Sequence, residues 1–170
     1  MITAYFVGEK ITSTSPDAFS LYEKSRLGEK QGKKIEYSGV ESLYLISETR
    51  ARVFSGSKEL SEDDLLRKLK KRDKKIETKF SVFSDLRKKG YIVKTALKFG
   101  AEFRVYEKGV KPGEDHAEWL LFCARESDNW NWHDFSAKSR VAHSTRKNLL
   151  IGIVDDENDV TYYEVRWVKF

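Results

Sequence analysis

The run Asn148-Leu149-Leu150-Ile151-Gly152-Ile153-Val154 restricts the fold more than any other stretch of this chain. It is apolar at nearly every position, so no register of it turns a polar face to water, and its length suits a strand better than a helix. It reads as a strand buried on both faces, which needs cover above and below it. Tyr91 to Leu97, Phe99 to Tyr106 and His116 to Ala124 read as further strands. Val160 to Phe170 reads as a last one, reached through the acidic loop Asp155-Asp156-Glu157-Asn158-Asp159. Helices come from Phe80, Phe83 and Leu86 ahead of Gly90, and from a segment through Val141 and Ala142 that Asp134 can cap.

Signals in the first half are shorter. Ile2 to Val7 is β-prone, and Gly8-Glu9-Lys10 turns it into Ile11-Thr12. Asp17, after Pro16, is placed to cap a helix through Tyr22 and Leu27 that Gly28 closes. Val40, Leu43, Tyr44 and Ser47 share helical spacing, Ala51 to Phe54 reads as a strand, and Gly56 marks a turn. Ser61 and Asp64 resemble a capping box opening a helix with the stripe Leu65, Leu66 and Leu69. A helix-rich first half and a strand-rich second half predict two domains, 1–79 and 80–170, with a helix at 78–89 as hinge or as first element of the second. The expected class is α/β with mixed α+β character. A small N-terminal α/β domain with a mixed sheet precedes a C-terminal α/β domain whose central mixed sheet is flanked by helices.

Charge and composition narrow the partners and the chemistry. Lys and Arg number 32 against 27 Asp and Glu, a net charge of +5, spread over both halves; this suits a polyanionic partner without demanding one. The densest cationic segment, Arg67, Lys68, Lys70, Lys71, Arg72, Lys74 and Lys75, is either a phosphate-binding patch or the solvated end of a helix, where cations complement the macrodipole. The second is the more ordinary reading. Cys123 stands alone, so an intrachain disulfide and a cysteine-based zinc site are excluded; within Trp119-Leu120-Leu121-Phe122-Cys123 it reads as a buried thiol. No run has the make-up of a leader or a membrane span, and a soluble, cytoplasmic protein is expected. His116, His133 and His143 form no His-x-x-x-His pair, and there is no glycine-rich phosphate loop and no Gly-x-Ser-x-Gly elbow. The carboxylates nearest to a metal-binding pattern, Glu102 beside Arg104 and Glu164 beside Arg166, read as strand-face charges. No metal and no other cofactor is expected.

Several blocks then stand in a telling order. They are Gly90-Tyr91-Ile92-Val93-Lys94-Thr95, Leu97-Lys98-Phe99-Gly100-Ala101-Glu102-Phe103-Arg104-Val105-Tyr106, Asp115-His116-Ala117, Arg140-Val141-Ala142-His143-Ser144, Arg146-Lys147 and Val160-Thr161-Tyr162-Tyr163-Glu164-Val165-Arg166-Trp167. This ordered set resembles the catalytic domain of archaeal tRNA-splicing endonucleases. The first half is similar to that family's N-terminal domain, chiefly through Val40-Glu41-Ser42-Leu43-Tyr44-Leu45.

The resemblance implies an RNA-cutting enzyme that excises introns from precursor tRNA at both splice sites of a bulge-helix-bulge. Tyr106, His116 and Lys147 fall on the family's catalytic tyrosine, histidine and lysine. The ribose 2′-hydroxyl attacks the adjacent phosphorus without a metal, leaving a 2′,3′-cyclic phosphate and a 5′-hydroxyl. An imidazole, titrating near pH ~6.5, suits the general acid, and an ammonium suits charge stabilisation. A phenol, titrating near ~10, acts as base only with a cation close by, and otherwise orients the nucleophile. Arg140 and Arg166 correspond to a pair that brackets an extruded base, a role their stacking planes suit; surface ion pairs are the alternative. Asp155, Asp156, Glu157 and Asp159 correspond to an acidic loop that docks on another subunit, the alternative being a solvated hairpin turn. A homotetramer is the first expectation, and a heterotetramer with a structural subunit the second. The competing functions are a non-catalytic structural subunit and a plain RNA-binding module gripping phosphates through residues 62–75.

Overall fold

Residues 1–80 alternate short strands with capped helices: β1 (Ile2–Val7), β2 (Lys10–Ser13), α1 (Pro16–Ser25), β3 (Glu29–Gln31), β4 (Lys34–Tyr37), α2 (Gly39–Ser47), β5 (Ala51–Ser55), β6 (Lys58–Leu60), α3 (Glu62–Lys70) and the start of α4 (Ile76–Lys88). These belong to a computed structural model that describes all residues, Met1 to Phe170. Its backbone contacts separate two units, Met1–Phe80 and Ser81–Phe170, with the division inside α4.

The first unit is built on a six-stranded mixed sheet of order β3-β4-β2-β1-β5-β6, in which β1 and β5 run parallel. Period-two burial sets its faces: Ile2 and Ala4 are buried while Tyr5 and Val7 are exposed. The first half carries the expected helices and, beside them, more strands than expected. β3, β4 and β6 went unrecognised because they are short and charged, Glu29-Lys30-Gln31 being exposed throughout.

Caps explain where the helices begin, and two differ from expectation. α1 is capped by Ser15, whose hydroxyl accepts the Ala18 N–H at 3.3 Å; Asp17 sits in the first turn and binds the N-terminal ammonium at 2.6 Å instead. The helix stops at Ser25 with Arg26 left-handed (φ 54°), short of Leu27 and Gly28. At α2, Ser38 and Glu41 form a complete capping box. Glu41 also accepts the Gly28 N–H at 2.9 Å, so one buried carboxylate ties the β3 approach to the helix start. At α3, Ser61 accepts the Asp64 N–H at 3.1 Å, but Asp64 pairs with Lys58 and Arg67 rather than returning the bond.

The basic segment largely faces its own unit. Arg67 pairs with Asp64, Lys70 with Glu77 and Lys79 with Asp73, while Lys68 and Arg72 lie over the ring of Phe6. This is the pattern of a solvated helix end, with Lys71, Lys74 and Lys75 left exposed.

The second unit continues with β7 (Ile92–Ala96), a 3-10 turn at Leu97–Phe99, β8 (Ala101–Tyr106), β9 (Trp119–Arg125), α5 (Trp132–Ser144), β10 (Asn148–Val154) and β11 (Val160–Val165). Its five-stranded mixed sheet has the order β11-β10-β9-β8-β7; β9 and β10 run parallel and α5 makes the crossover between them. On one face Leu149 and Ile151 pack with Leu120, Phe122 and Ala142. On the other, Gly152 lies so close to Val82 of α4 that a Cβ there would stand 3.1 Å from Cγ1, and Phe83 meets Phe103 at 5.7 Å. Tyr162 donates to Asp85 at 2.7 Å, tying β11 to α4. Three expectations shift. β9 begins at Trp119, leaving His116 in a loop; β11 ends at Val165; and Asn131, not Asp134, caps α5 through the Asp134 N–H at 2.8 Å.

Gly28 combines a positive φ of 79° with a crowded site, where a Cβ would stand 2.8 Å from the Tyr37 ring and overlap Ile35. Gly32 has φ 60° and open space around it. Gly28→Ala should therefore carry both a left-handed cost of roughly 1–2 kcal/mol and an overpacking cost of roughly 1–3 kcal/mol, and Gly32→Ala only the first. Thermal unfolding of the two variants checks this: Gly28→Ala should melt well below Gly32→Ala, and equal losses would contradict the packing at Gly28.

Candidate active site

Topology gathers three chain segments at one end of the second sheet. β8 is antiparallel to β9 and β9 is parallel to β10, so the end of β8 lies beside the starts of both. Tyr106 closes β8, the loop holding His116 leads into β9, and Lys147 immediately precedes β10. These three side chains line one open cleft of about 400 Å³, together with Phe99, Arg104 and Asp115.

Local structure fixes each of them. Tyr106 is buried at 4% exposure. His116 sits just after Asp115, whose carboxylate accepts the His116 backbone N–H at 2.7 Å, and the loop rejoins the sheet where the Glu118 N–H bonds to the Val105 carbonyl at 3.0 Å. Lys147 is placed by the way α5 ends. Arg146 is left-handed (φ 57°), its N–H bonding to the His143 carbonyl, and the Lys147 N–H reaches back to Ala142 at 2.9 Å. This paired closure satisfies the last helix carbonyls and turns the chain directly into β10.

The ammonium of Lys147 donates to the Thr145 carbonyl at 3.1 Å and lies 5.6 Å from the centre of the Phe99 ring. Burial holds its pKa below the usual lysine range, and the nearby Arg104 guanidinium pushes in the same direction. Nowhere do three His, Cys, Asp or Glu side chains converge as a metal cage.

The remaining expected site residues stand outside the cleft. Arg140 is exposed on α5. Arg166 follows β11 and donates to Glu164 at 2.8 Å, an exposed pair of little energetic weight. Next to it Trp167 lies on His143 with ring centres 4.1 Å apart, which brings the end of the chain against the last turns of α5. His133 opens the same helix and is exposed. The acidic loop sits at the opposite end of β10, roughly 20 Å away by strand rise. There Asp155 organises the turn, its carboxylate accepting the Glu157 and Asp159 N–H groups, both at 2.9 Å. Asp156, Glu157 and Asp159 are exposed and make no ion pair.

Arg104 was passed over in the sequence as a strand-face charge, although a signal was present. Residues two apart on a strand share a face, so Arg104 had to accompany Tyr106. Its Cζ lies 6.0 Å from the Tyr106 ring centre. Phe99 and Asp115 carried no signal of their own, being placed by a 3-10 turn and a loop.

A phenol, an imidazole and an ammonium thus share one cleft, a set of groups that can in principle exchange protons and offset negative charge. Comparison with known proteins gives it a family. Residues 76–162 match the tRNA intron endonuclease catalytic C-terminal domain, and residues 2–66 match the tRNA intron endonuclease N-terminal domain. A tRNA-splicing endonuclease of Pyrococcus abyssi is 39% identical over 100% of this chain and 98% of its own. Those of Pyrococcus horikoshii (41% identical, 99% of this chain and 98% of its own) and Methanothermobacter thermautotrophicus (38% identical, 88% of this chain and 86% of its own) are also similar. The chain belongs to the tRNA intron endonuclease family, and by class it is an endonuclease. No helix in it is long and apolar enough to cross a membrane.

Lys147 should titrate below the exposed lysines of the same chain. Selective carbon-13 labelling of lysine side chains, with Lys147 assigned through Lys147→Arg, checks this by NMR; a midpoint at or above those of the exposed lysines would contradict the electrostatics of the cleft.

Proposed function

We propose that this chain excises introns from precursor tRNA by cutting both splice sites of a bulge-helix-bulge, without a metal. The observation that carries this reading is the presence of Tyr106, His116 and Lys147 in one cleft. RNA brings its own nucleophile, so the protein needs a base, an acid and a cation. The 2′-oxygen attacks the adjacent phosphorus, and its proton passes to Tyr106 in its phenolate form, which a nearby cation favours, or to solvent where Tyr106 only holds the hydroxyl in line. The bond from phosphorus to the 5′-oxygen breaks, and His116 protonates that oxygen as it leaves. Lys147 offsets the charge gathered on the phosphorane. The products are a 2′,3′-cyclic phosphate and a 5′-hydroxyl.

In this reading residues 80–170 form the catalytic domain, residues 1–79 the N-terminal domain, and the enzyme works in the cytoplasm. Arg140 and Arg166 bracket an extruded base; both are exposed and available to a ligand that stacks. Two splice sites ask for more than one cleft, so the chain assembles, first as a homotetramer and otherwise as a heterotetramer with a structural subunit. The loop carrying Asp155, Asp156, Glu157 and Asp159 is the docking element, with three unpaired carboxylates on a self-closed turn.

Single-turnover cleavage of an intron-containing precursor tRNA in EDTA, with end-group analysis, tests the chemistry. Cyclic phosphate ends are expected, and His116→Ala should lower the rate by roughly 10²- to 10⁴-fold with RNA binding nearly intact, whereas His133→Ala and His143→Ala cost far less. Ends bearing 3′-hydroxyls, or full loss of activity with chelator, would refute the mechanism; binding without cutting would return the chain to a structural subunit. Separately, changing Asp155, Asp156, Glu157 and Asp159 together to their amides should weaken the assembly and its activity, since Asn keeps the acceptor that closes the turn. An unchanged mass by light scattering and an unchanged rate would leave the loop an ordinary solvated turn.

A further inference from the structure

Five arginines of this protein are each answered by a carboxylate. Arg26 pairs with Glu23, Arg52 with Glu59, Arg67 with Asp64, Arg72 with Glu9 and Arg166 with Glu164. Arg104 does not follow this pattern. It is half-buried, its Nε is sealed from solvent and makes no hydrogen bond, and no carboxylate pairs with it, although Glu114 and Asp115 line the same cleft. The side chain's one partner is the face of the Tyr106 ring. A second cation, Lys147, shares the cleft and is itself held partly out of water.

Two like charges drawn from solvent into one cleft, neither neutralised by an acid, are unfavourable until an anion arrives. We propose that Arg104 is a phosphate-binding residue, whose guanidinium holds the non-bridging oxygens of the scissile phosphodiester together with Lys147 and takes no part in proton transfer. This rests on the reading that the cleft cuts RNA. A guanidinium suits the task because its planar fork meets two phosphate oxygens at once, which fixes the angle of the phosphorus as well as its charge. Lys147 supplies a point charge and Arg104 supplies direction. The Tyr106 ring beneath the guanidinium orients it toward the cleft, so phenol and phosphate site are built on the same strand face.

Two measurements on Arg104→Gln and Arg104→Lys test the proposal. The first is single-turnover cleavage of precursor tRNA carrying one sulfur at either non-bridging position of the scissile phosphate. Arg104→Gln should lower the rate on the all-oxygen substrate roughly 10²- to 10³-fold, the worth of one aimed donor to a developing oxyanion, and Arg104→Lys should restore only part of it. The wild-type preference between the two sulfur isomers should shrink in Arg104→Gln and persist in His116→Ala. An isomer preference unchanged in Arg104→Gln, whatever its rate, would overturn the proposal. The second is titration of the protein with inorganic phosphate, followed on the Lys147 side-chain resonance, which needs no cleavage. Weaker binding by at least about tenfold in Arg104→Gln, with an unchanged melting temperature, supports the site; equal affinity overturns it. Wild-type protein that binds phosphate through Arg104 and cuts no precursor tRNA would refute the cleavage reading and leave the anion site standing.

Discussion

Two-sided burial of β10 is the constraint on which the rest of residues 81–170 depends. A strand apolar on both faces has no alternation of polar and apolar positions to hold its register. Here the register is held by shape, because Gly152 is the one position of β10 without a side chain and it receives Val82. Sliding β10 by one or two residues would put Ile153, Ile151, Leu150 or Val154 against α4, with no room for any of them. The position of Lys147, one residue before the strand, is therefore set by a close approach five residues further on. A packing fit on one face of the sheet decides where an ammonium stands at its end.

Parallel pairing of β9 and β10 carries the consequence across the sheet. Parallel neighbours need a crossover, and α5 provides it, so the chain leaves the far end of β9 and returns to the end where β10 starts. Segments at residues 104–106, 114–117 and 147 arrive at one end of the sheet, the last of them remote along the chain from the other two. The cleft follows from topology, and its cations lie in a region where burial strengthens their mutual repulsion and any attraction to an anion alike.

Legibility in the sequence followed the strength of the local signal. β1, α2 and β10 could be bounded closely because their apolar patterns are continuous or periodic. β3, β4 and β6 were invisible, since three or four residues, exposed throughout in β3 and mixed with charges around Ile35, Tyr37 and Leu60 in the others, become a strand only when a neighbour supplies the hydrogen bonds. The caps of α1 and α5 were misassigned by two or three residues, as Ser15 and Asn131 compete locally with Asp17 and Asp134 and only backbone geometry chooses between them. Within the cleft, Tyr106, His116 and Lys147 came from ordered blocks of resemblance; periodicity alone names none of them. Arg104 was readable in principle from its spacing to Tyr106, but a lone arginine on a strand looks like any other until its lack of a carboxylate is known.

The turn at Asp155 has a different sort of consequence. One carboxylate there is committed to two backbone N–H groups, so the tip holding Asp156, Glu157 and Asp159 is shaped before it meets anything. A floppy acidic segment would have to give up backbone freedom on contact, whereas this one has already done so within its own fold. Contact with a cationic surface would then be limited mainly by the stripping of water from three carboxylates, and salt should tune it more than temperature does.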